Sequence, residues 1–462
     1  MPDRYFHSVT LNTDKCVGCT DCIKRCPTEA IRVHNGKAEI TNERCIDCGM
    51  CIYVCRHHAK KATTDPISII DNFKYKIAIP APTFYAQFKE TYDINKILTA
   101  IKKLGFDDVF EVARAAEAIT ERSRQIMAEG TCKKPVISSA CPAITRLISK
   151  RFPTLIDNIL PIISPMEAAA MAARKHAEDK GIAAEEIGIF FISPCAAKVT
   201  NVRKPIEVRN TNVDGVISME EVYLLLLPII KSLKPEEIEP LCQCRGMGVK
   251  WAEIGGEGHL LQISNAISVD GVEDVIKVME LVENGQLENV DFIEGLACKG
   301  GCLGGALTVT NAFVAKNYLL RVEKNAKKYA PEQTRNVDSY FEGLNLNTTK
   351  KIKADNILKL DDDLNVAIMK LGEITELYNQ LPQIDCGSCG APTCMALAED
   401  IVQGKAMLED CTFMLRDKVK KLAEDMVGLA DMLPPSIGNK SNKKSTETVE
   451  TVETVEANDG GL

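Results

Sequence analysis

The chain has 462 residues, 45% of them hydrophobic and 26% charged, with a formal net charge of -8. That length allows several domains with a sizeable buried core, and the acidic balance argues against nucleic acid as a partner, because phosphate binding depends on clustered Lys and Arg. The longest apolar run, "VYLLLLPII" at 222–230, is too short to cross a bilayer and contains Pro228, and the start "MPDRYFHSVTL" has no apolar h-region, so a cytoplasmic protein with no membrane partner is expected.

Nineteen cysteines in such a chain read as metal ligands where they fall at short fixed spacing, since disulfides do not persist in the cytosol. Residues 16–27 read C-V-G-C-T-D-C-I-K-R-C-P and residues 45–56 read C-I-D-C-G-M-C-I-Y-V-C-R. Both follow the bacterial ferredoxin run C-x2-C-x2-C-x3-C-P, with Arg56 in place of the second proline. Three thiolates on a tight loop cap three irons of a cube, while the fourth, on the following helical turn, points at the other cluster. Residues 1–70 are therefore expected to form an α+β bacterial-ferredoxin-like domain. In it Cys16, Cys19, Cys22 and Cys55 hold one 4Fe-4S cluster, and Cys45, Cys48, Cys51 and Cys26 hold the other. Zinc would call for separate C-x2-C pairs rather than four-cysteine runs.

From residue 71 the pattern changes. Short runs rich in Ile, Val and Phe ("KYKIAIPAP", "DDVFEV", "KPVISSAC", "EIGIFFISPC", "NVDGVIS", "VDFIEGLAC") alternate with helical segments, which predicts α/β architecture with parallel strands. Three of the runs end in cysteine, and ligand sites in open α/β sheets lie beyond the carboxyl ends of strands, so Cys141, Cys195 and Cys298 are placed to face one crevice. Cys302 follows Cys298 by four residues, which on a helix puts both sulfurs on one face. Glycines 300, 301, 304 and 305 suit a close approach of backbone to something bulky.

Three stretches together resemble the catalytic domain of the FeFe hydrogenase family. "ISSACPAI" is similar to T-S-C-C-P-x-W, "FISPCAAK" to M-P-C-x-x-K, and "EGLACKGGCLGGA" to E-x-M-A-C-x-x-G-C-x-x-G-G-G. The resemblance implies a two-lobed α/β domain over 71–350 carrying the H-cluster, a 4Fe-4S cluster plus a two-iron subsite with CO, cyanide and a dithiolate. It implies that Cys141, Cys195, Cys298 and Cys302 hold the cubane and that Cys302 bridges to the two irons. Lys198 then hydrogen-bonds a cyanide, and Ala81, Pro82 and Thr83 lie over the dithiolate. The implied reaction is H2 = 2 H+ + 2 e-, with a redox partner such as ferredoxin or a signalling protein, and hydrogenase maturation proteins supplying the two-iron group.

Departures from the family pattern cluster at the same place. Ala140 stands where the family usually has a proton-carrying cysteine, and a methyl group neither donates nor accepts a proton. Ser193 and Leu296 replace methionines against the two-iron subsite, and Ala306 replaces the third glycine of the last motif. These changes resemble those of divergent family groups regarded as sensory, which implies low turnover and a role in hydrogen sensing. The alternative is a hydrogenase-like iron–sulfur protein without the two-iron subsite, similar to cytosolic cluster-assembly factors, acting in assembly or electron transfer. Glu117 and Glu121 lie near the region that supplies relay carboxylates in the family, or else form a solvated helix face. Glu253 and Glu257, in "WAEIGGEGHL", read as solvated loop carboxylates or as an alternative proton path.

Helical spacing in "LDDDLNVAIMKLGEITELYNQL" predicts a linker helix within 351–380. Then Cys386-x2-Cys389-x4-Cys394-x16-Cys411 resembles the small 4Fe-4S domain of corrinoid iron–sulfur proteins, which implies a fourth cluster in a helical domain over 381–432. The polar tail 433–462, with its T-V-E repeat, is expected to be disordered. Cys242 and Cys244 form a C-x-C without neighbouring partners and are read as free thiols or a redox pair, and Cys132 as packing.

Overall fold

The computed structural model describes residues 6–89, 91–329, 338–355, 357 and 359–431. The polar tail lies outside them. Two compact units are present, residues 1–406 and 407–462, and the boundary falls inside the span 381–432.

The head of the first unit runs β1 (Val9–Leu11), α1 (Asp21–Lys24), β2 (Ile31–His34), β3 (Lys37–Ile40), α2 (Met50–Val54) and β4 (Lys60–Ala62), with β1–β4 and β2–β3 paired antiparallel. Each short helix starts from a residue at positive φ, Thr20 before α1 and Gly49 before α2. Ile23, Ile31, Ala38 and Ala59 form a small core shared with the cysteines.

The larger body follows with β5 (Tyr75–Pro80), α3 (Pro82–Tyr85), α4 (Ile94–Lys103), β6 (Asp108–Val109), α5 (Val112–Ala128), β7 (Val136–Ile137), α6 (Pro142–Arg151) and α7 (Pro165–Asp179). It continues through β8 (Ile187–Ser193), α8 (Ala196–Arg203), β9 (Gly215–Ser218), α9 (Met219–Ser232), α10 (Gly256–Leu261), β10 (Ala266–Asp270), α11 (Val272–Glu283), β11 (Phe292–Leu296), α12 (Ala312–Tyr329) and α13 (Asp338–Phe341). Two parallel sheets make two lobes, one in the order β6-β5-β8-β9 and one in the order β10-β11-β7. All seven residues of β8 are buried, as expected of a parallel strand covered on both faces. Each lobe has its own core, and the smaller one takes in Ile46 from the head. The α/β expectation therefore holds, and each of the six apolar runs contains a strand.

After the lobes come α14 (Leu364–Gln380) and α15 (Cys394–Val402). The linker helix begins at Leu364, where the Asp363 side chain caps the first turn, well inside the span 351–380. Residues 387–400 pack on the head: Val33 N donates to Gly390 O at 2.9 Å, Arg32 pairs with Asp400 at 2.5 Å and Arg44 with Glu399 at 2.5 Å. The second unit contains α16 (Thr412–Asp431), with Leu415, Val419, Leu422, Met426 and Leu429 exposed along it. No helix among the described residues is long and apolar enough to cross a membrane.

Candidate functional site

The head encloses two small cavities. One is lined by Cys16, Cys19, Cys22 and Cys55, the other by Cys26, Cys45, Cys48 and Cys51. The last cysteine of each motif thus lines the other motif's cavity. Burial and the charges of neighbouring thiols push Cys45, Cys48 and Cys51 well above the usual thiol value, and Cys26 contributes to all three shifts. Only a strongly cationic group makes thiolates favourable in such a place.

Both sheets deliver cysteines from their carboxyl ends. Cys141 follows β7 and caps α6, with Pro142 as that helix's first residue, and Cys195 follows β8 and caps α8. Cys298 follows β11, and Cys302 lies in a 3-10 turn, Gly301–Gly304, rather than on an α-helix. The four converge: burial raises Cys298 well above 9.0, with further contributions from Cys195, Cys141 and Cys302. Burial likewise pushes Cys195 up to about 11 and Cys302 to about 12, while Lys198 pulls both down.

Lys198 Nζ is buried beside these sulfurs and has no hydrogen-bond partner among the described residues. Four convergent thiols and an ammonium lacking an acceptor fit a cubane cluster that carries an acceptor ligand. Ala81, Pro82 and Thr83 are buried at the start of α3, and the Ala81 amide donates to Ile192 O at 3.3 Å, next to Ser193. The Ser193 hydroxyl is committed to the Cys195 turn, accepting from the Cys195 amide and facing its carbonyl, both at 3.0 Å. Leu296, at the end of β11, is buried.

The glycines of the last motif serve close approach to protein. A Cβ on Gly305 would sit 2.2 Å from Pro194 O, and one on Gly301, at φ 71°, would sit 2.8 Å from Ile254 N. These contacts clamp the Cys298–Cys302 loop against the Cys195 loop and the segment before α10. The head abuts the same loop: Tyr53 donates to Gly305 O at 3.2 Å, and Cys298 Sγ lies 4.0 Å from Cys48 O.

Behind Ala140 lies a buried carboxylate pair that composition alone does not mark as buried. Glu257, 3% exposed, accepts from Ser138 Oγ at 2.5 Å, and Glu294, 1% exposed, accepts from the Gly255 and Gly258 amides at 3.2 and 3.0 Å. Burial pushes Glu257 up to about 8, with the Glu294 charge adding to it, and burial pushes Glu294 up to about 7. The solvated reading of Glu257 is thus overturned, because α10 packs on β11, where Glu294 accepts from the Gly255 and Gly258 amides. Glu253 instead pairs with Lys316 at 3.3 Å. Glu117 and Glu121 also part ways. Glu117 accepts from the Arg245 and Gly248 amides at 3.0 Å each and is raised to about 7 by burial, whereas Glu121 pairs with Arg124 at the surface.

Cys242 and Cys244 do have a partner, Glu111, contrary to the reading as isolated thiols. Cys132 packs partly buried against the larger core. Cys386 and Cys389 stand on the loop before α15, Cys394 begins that helix, and Cys411 is buried in the second unit.

A two-lobed parallel α/β body with four convergent thiols, behind a head with two four-cysteine cavities, defines a multi-cluster iron–sulfur protein. The model of the iron only hydrogenase large subunit, C-terminal domain, matches residues 74–256 and 228–306, and the chain belongs to that family. A 4Fe-4S dicluster domain matches residues 8–56, and an Fe-S cluster domain matches 381–413. The chain is 24% identical over 375 residues to the NADP-reducing hydrogenase subunit HndD of Solidesulfovibrio fructosivorans, covering 64% of each chain. It is 49% identical over 39 residues to the corrinoid/iron-sulfur protein large subunit of Moorella thermoacetica, 8% of this chain and 9% of that one. A variant of FeFe-hydrogenase HydA1 from Chlamydomonas reinhardtii is similar at 17% identity and a TM-score of 0.46, over 62% of this chain and 95% of that one.

Proposed function

We propose that this chain is an FeFe hydrogenase of low turnover that interconverts H2 with protons and electrons and reports hydrogen to a regulatory partner. The convergence of Cys141, Cys195, Cys298 and Cys302 beside the unpartnered Lys198 ammonium carries this reading. Cys302 would hold the two-iron subsite, which would supply the metal chemistry for splitting H2.

The chain's own groups do the rest. Lys198 would donate to a cyanide of that group, and Ala81, Pro82 and Leu296 would exclude water. Ala140 cannot pass a proton, so delivery depends on the Ser138–Glu257–Glu294 array, which lacks a titratable group at position 140. The Cys48 loop would pass electrons toward the two head cysteine sets, and the C-terminal iron–sulfur motif would offer an exit to a ferredoxin or a signalling protein. Maturation proteins insert the two-iron group, and the cytoplasm is the compartment.

An infrared spectrum of the anaerobically reconstituted protein, loaded with a two-iron precursor and recorded under argon and then H2, tests the reading. CO and cyanide bands that shift under H2 are expected. Their absence, with the 4Fe-4S clusters intact, would replace it with cluster assembly or plain electron transfer.

A further inference from the structure

We propose that Glu111, Cys242 and Cys244 form a structural zinc site, separate from every iron–sulfur motif. One carboxylate oxygen of Glu111 and the two sulfurs lie within 4.8 Å of one another, and all three residues are buried. The sulfurs are 3.9 Å apart. A tetrahedral zinc with Zn–S bonds of about 2.3 Å sets its two sulfurs about 3.8 Å apart, whereas a disulfide needs about 2 Å.

The carboxylate is oriented for the task. Glu111, the residue before α5, uses Oε2 to accept from the Gln243 and Cys244 amides at 2.5 and 2.9 Å, whereas Oε1 is buried with no partner among the described residues. The Tyr85 hydroxyl is fully buried beside the same groups. The unpartnered Glu111 oxygen and the two thiols supply three ligands for a cation, with a water as its fourth. Binding releases the two thiol protons, so two thiolates and a carboxylate around Zn2+ leave one net negative charge. Arg114 answers it: its guanidinium acts electrostatically on Glu111, donates to Gln243 and lies 3.8 Å over the Tyr340 ring.

The site sits where a staple is useful. Asn95 Oδ1 accepts from the Cys242 amide at 2.6 Å, and Glu117 holds the amides of Arg245 and Gly248, so the 241–248 loop is fixed to α4 and α5 just before it delivers Trp251 and α10. Zinc would lock that delivery.

The test is elemental analysis of the anaerobically purified, fully clustered protein, with X-ray absorption at the zinc edge. One zinc per chain with a shell of two sulfurs and two light atoms is expected, lost in C242S and C244S while the iron content stays unchanged. Should those variants fail to fold, Glu111→Gln keeps the amide contacts and is expected to weaken zinc at least 10-fold in chelator competition. The proposal is overturned by a protein that takes up no added Zn2+, by a four-sulfur shell indifferent to the variants, by unchanged affinity in Glu111→Gln, or by recovery of Cys242 and Cys244 as a disulfide.

Discussion

Ser138 donates its hydroxyl to Glu257 at 2.5 Å while the same oxygen accepts from the Ala140 amide at 3.2 Å. A titratable array thus comes within three residues of the first cluster cysteine and stops at a methyl group. Replacing Ala140 with Cys adds a group that can carry a proton across that gap. H2 evolution by the fully loaded protein is expected to rise ~10-fold or more, the low end of what one positioned acid–base group contributes being ~100-fold. An unchanged rate at full loading would show that proton delivery does not limit turnover.

Glu257 and Glu294 together report a pH dependence. Their values, about 8 and about 7 against an ordinary 4.5, mean that the folded state holds protons the unfolded chain has released. That contribution to stability is complete below pH 4.5 and is lost as pH rises through about 7 to 8. Glu257→Gln mimics the protonated form and removes much of the loss, so the variant is expected to melt higher than the parent at pH 8.5, by ~1–2 kcal/mol, and close to it at pH 5. Proton-dependent turnover by the parent should fall over the same interval, and the variant should be slow throughout. Equal melting curves at both pH values would remove the carboxylate pair as the source.

The strands and the cysteine motifs were legible because both are local. "IGIFFIS" is an apolar run of strand length, and C-x2-C-x2-C-x3-C is a metal loop by spacing alone. What was missed is long-range. β10, "AISVD", is half-exposed along its length and has no apolar run to announce it. Glu111 and the C-x-C pair are some 130 residues apart in sequence, and Glu257 looks like a loop carboxylate until α10 packs on β11. The 3-10 turn at Gly301–Gly304 also escaped notice, since a four-residue spacing of cysteines suits a helix equally well.

Gly305 tests the clamp between the two ligand loops. Its Cβ would lie 2.2 Å from Pro194 O, backbone that cannot yield without moving Cys195. Gly305→Ala is expected to destabilise the protein by ~2–4 kcal/mol and to lower iron content by about four atoms per chain, leaving the head clusters in place. Full iron content in this variant, read by elemental analysis beside the spectrum of the head clusters, would mean that the loops do not need each other to bind.

Asp47 bolts the head to the lobe that carries Cys195. Buried between Cys45 and Cys48, it accepts from the Ser8 and Val9 amides at 3.0 Å each and from Thr200 Oγ1, on α8, at 2.8 Å. Asp47→Ala strands the Val9 amide and the Thr200 hydroxyl, each at ~1–3 kcal/mol when buried without an acceptor, and leaves the Ser8 amide only Thr200 Oγ1, so a loss of ~3–5 kcal/mol is expected after some rescue by water. Asp47→Asn keeps one acceptor oxygen, and the Thr200 hydroxyl can rotate to accept from the new amide, so its loss should stay within ~1.5 kcal/mol. Thr200→Val removes the hydroxyl that donates to Asp47 and accepts from the Ser8 amide at 3.1 Å, leaves both amides their Asp47 oxygen, and should fall between. If the knot also sets the Cys48–Cys298 contact at 4.0 Å, electron transfer from the active-site cluster to the head should slow in Asp47→Ala under conditions where the protein is still folded. Freeze-quench EPR of cluster reduction under H2 reads that rate separately from stability. An unchanged rate in a destabilised variant would confine Asp47 to holding the fold.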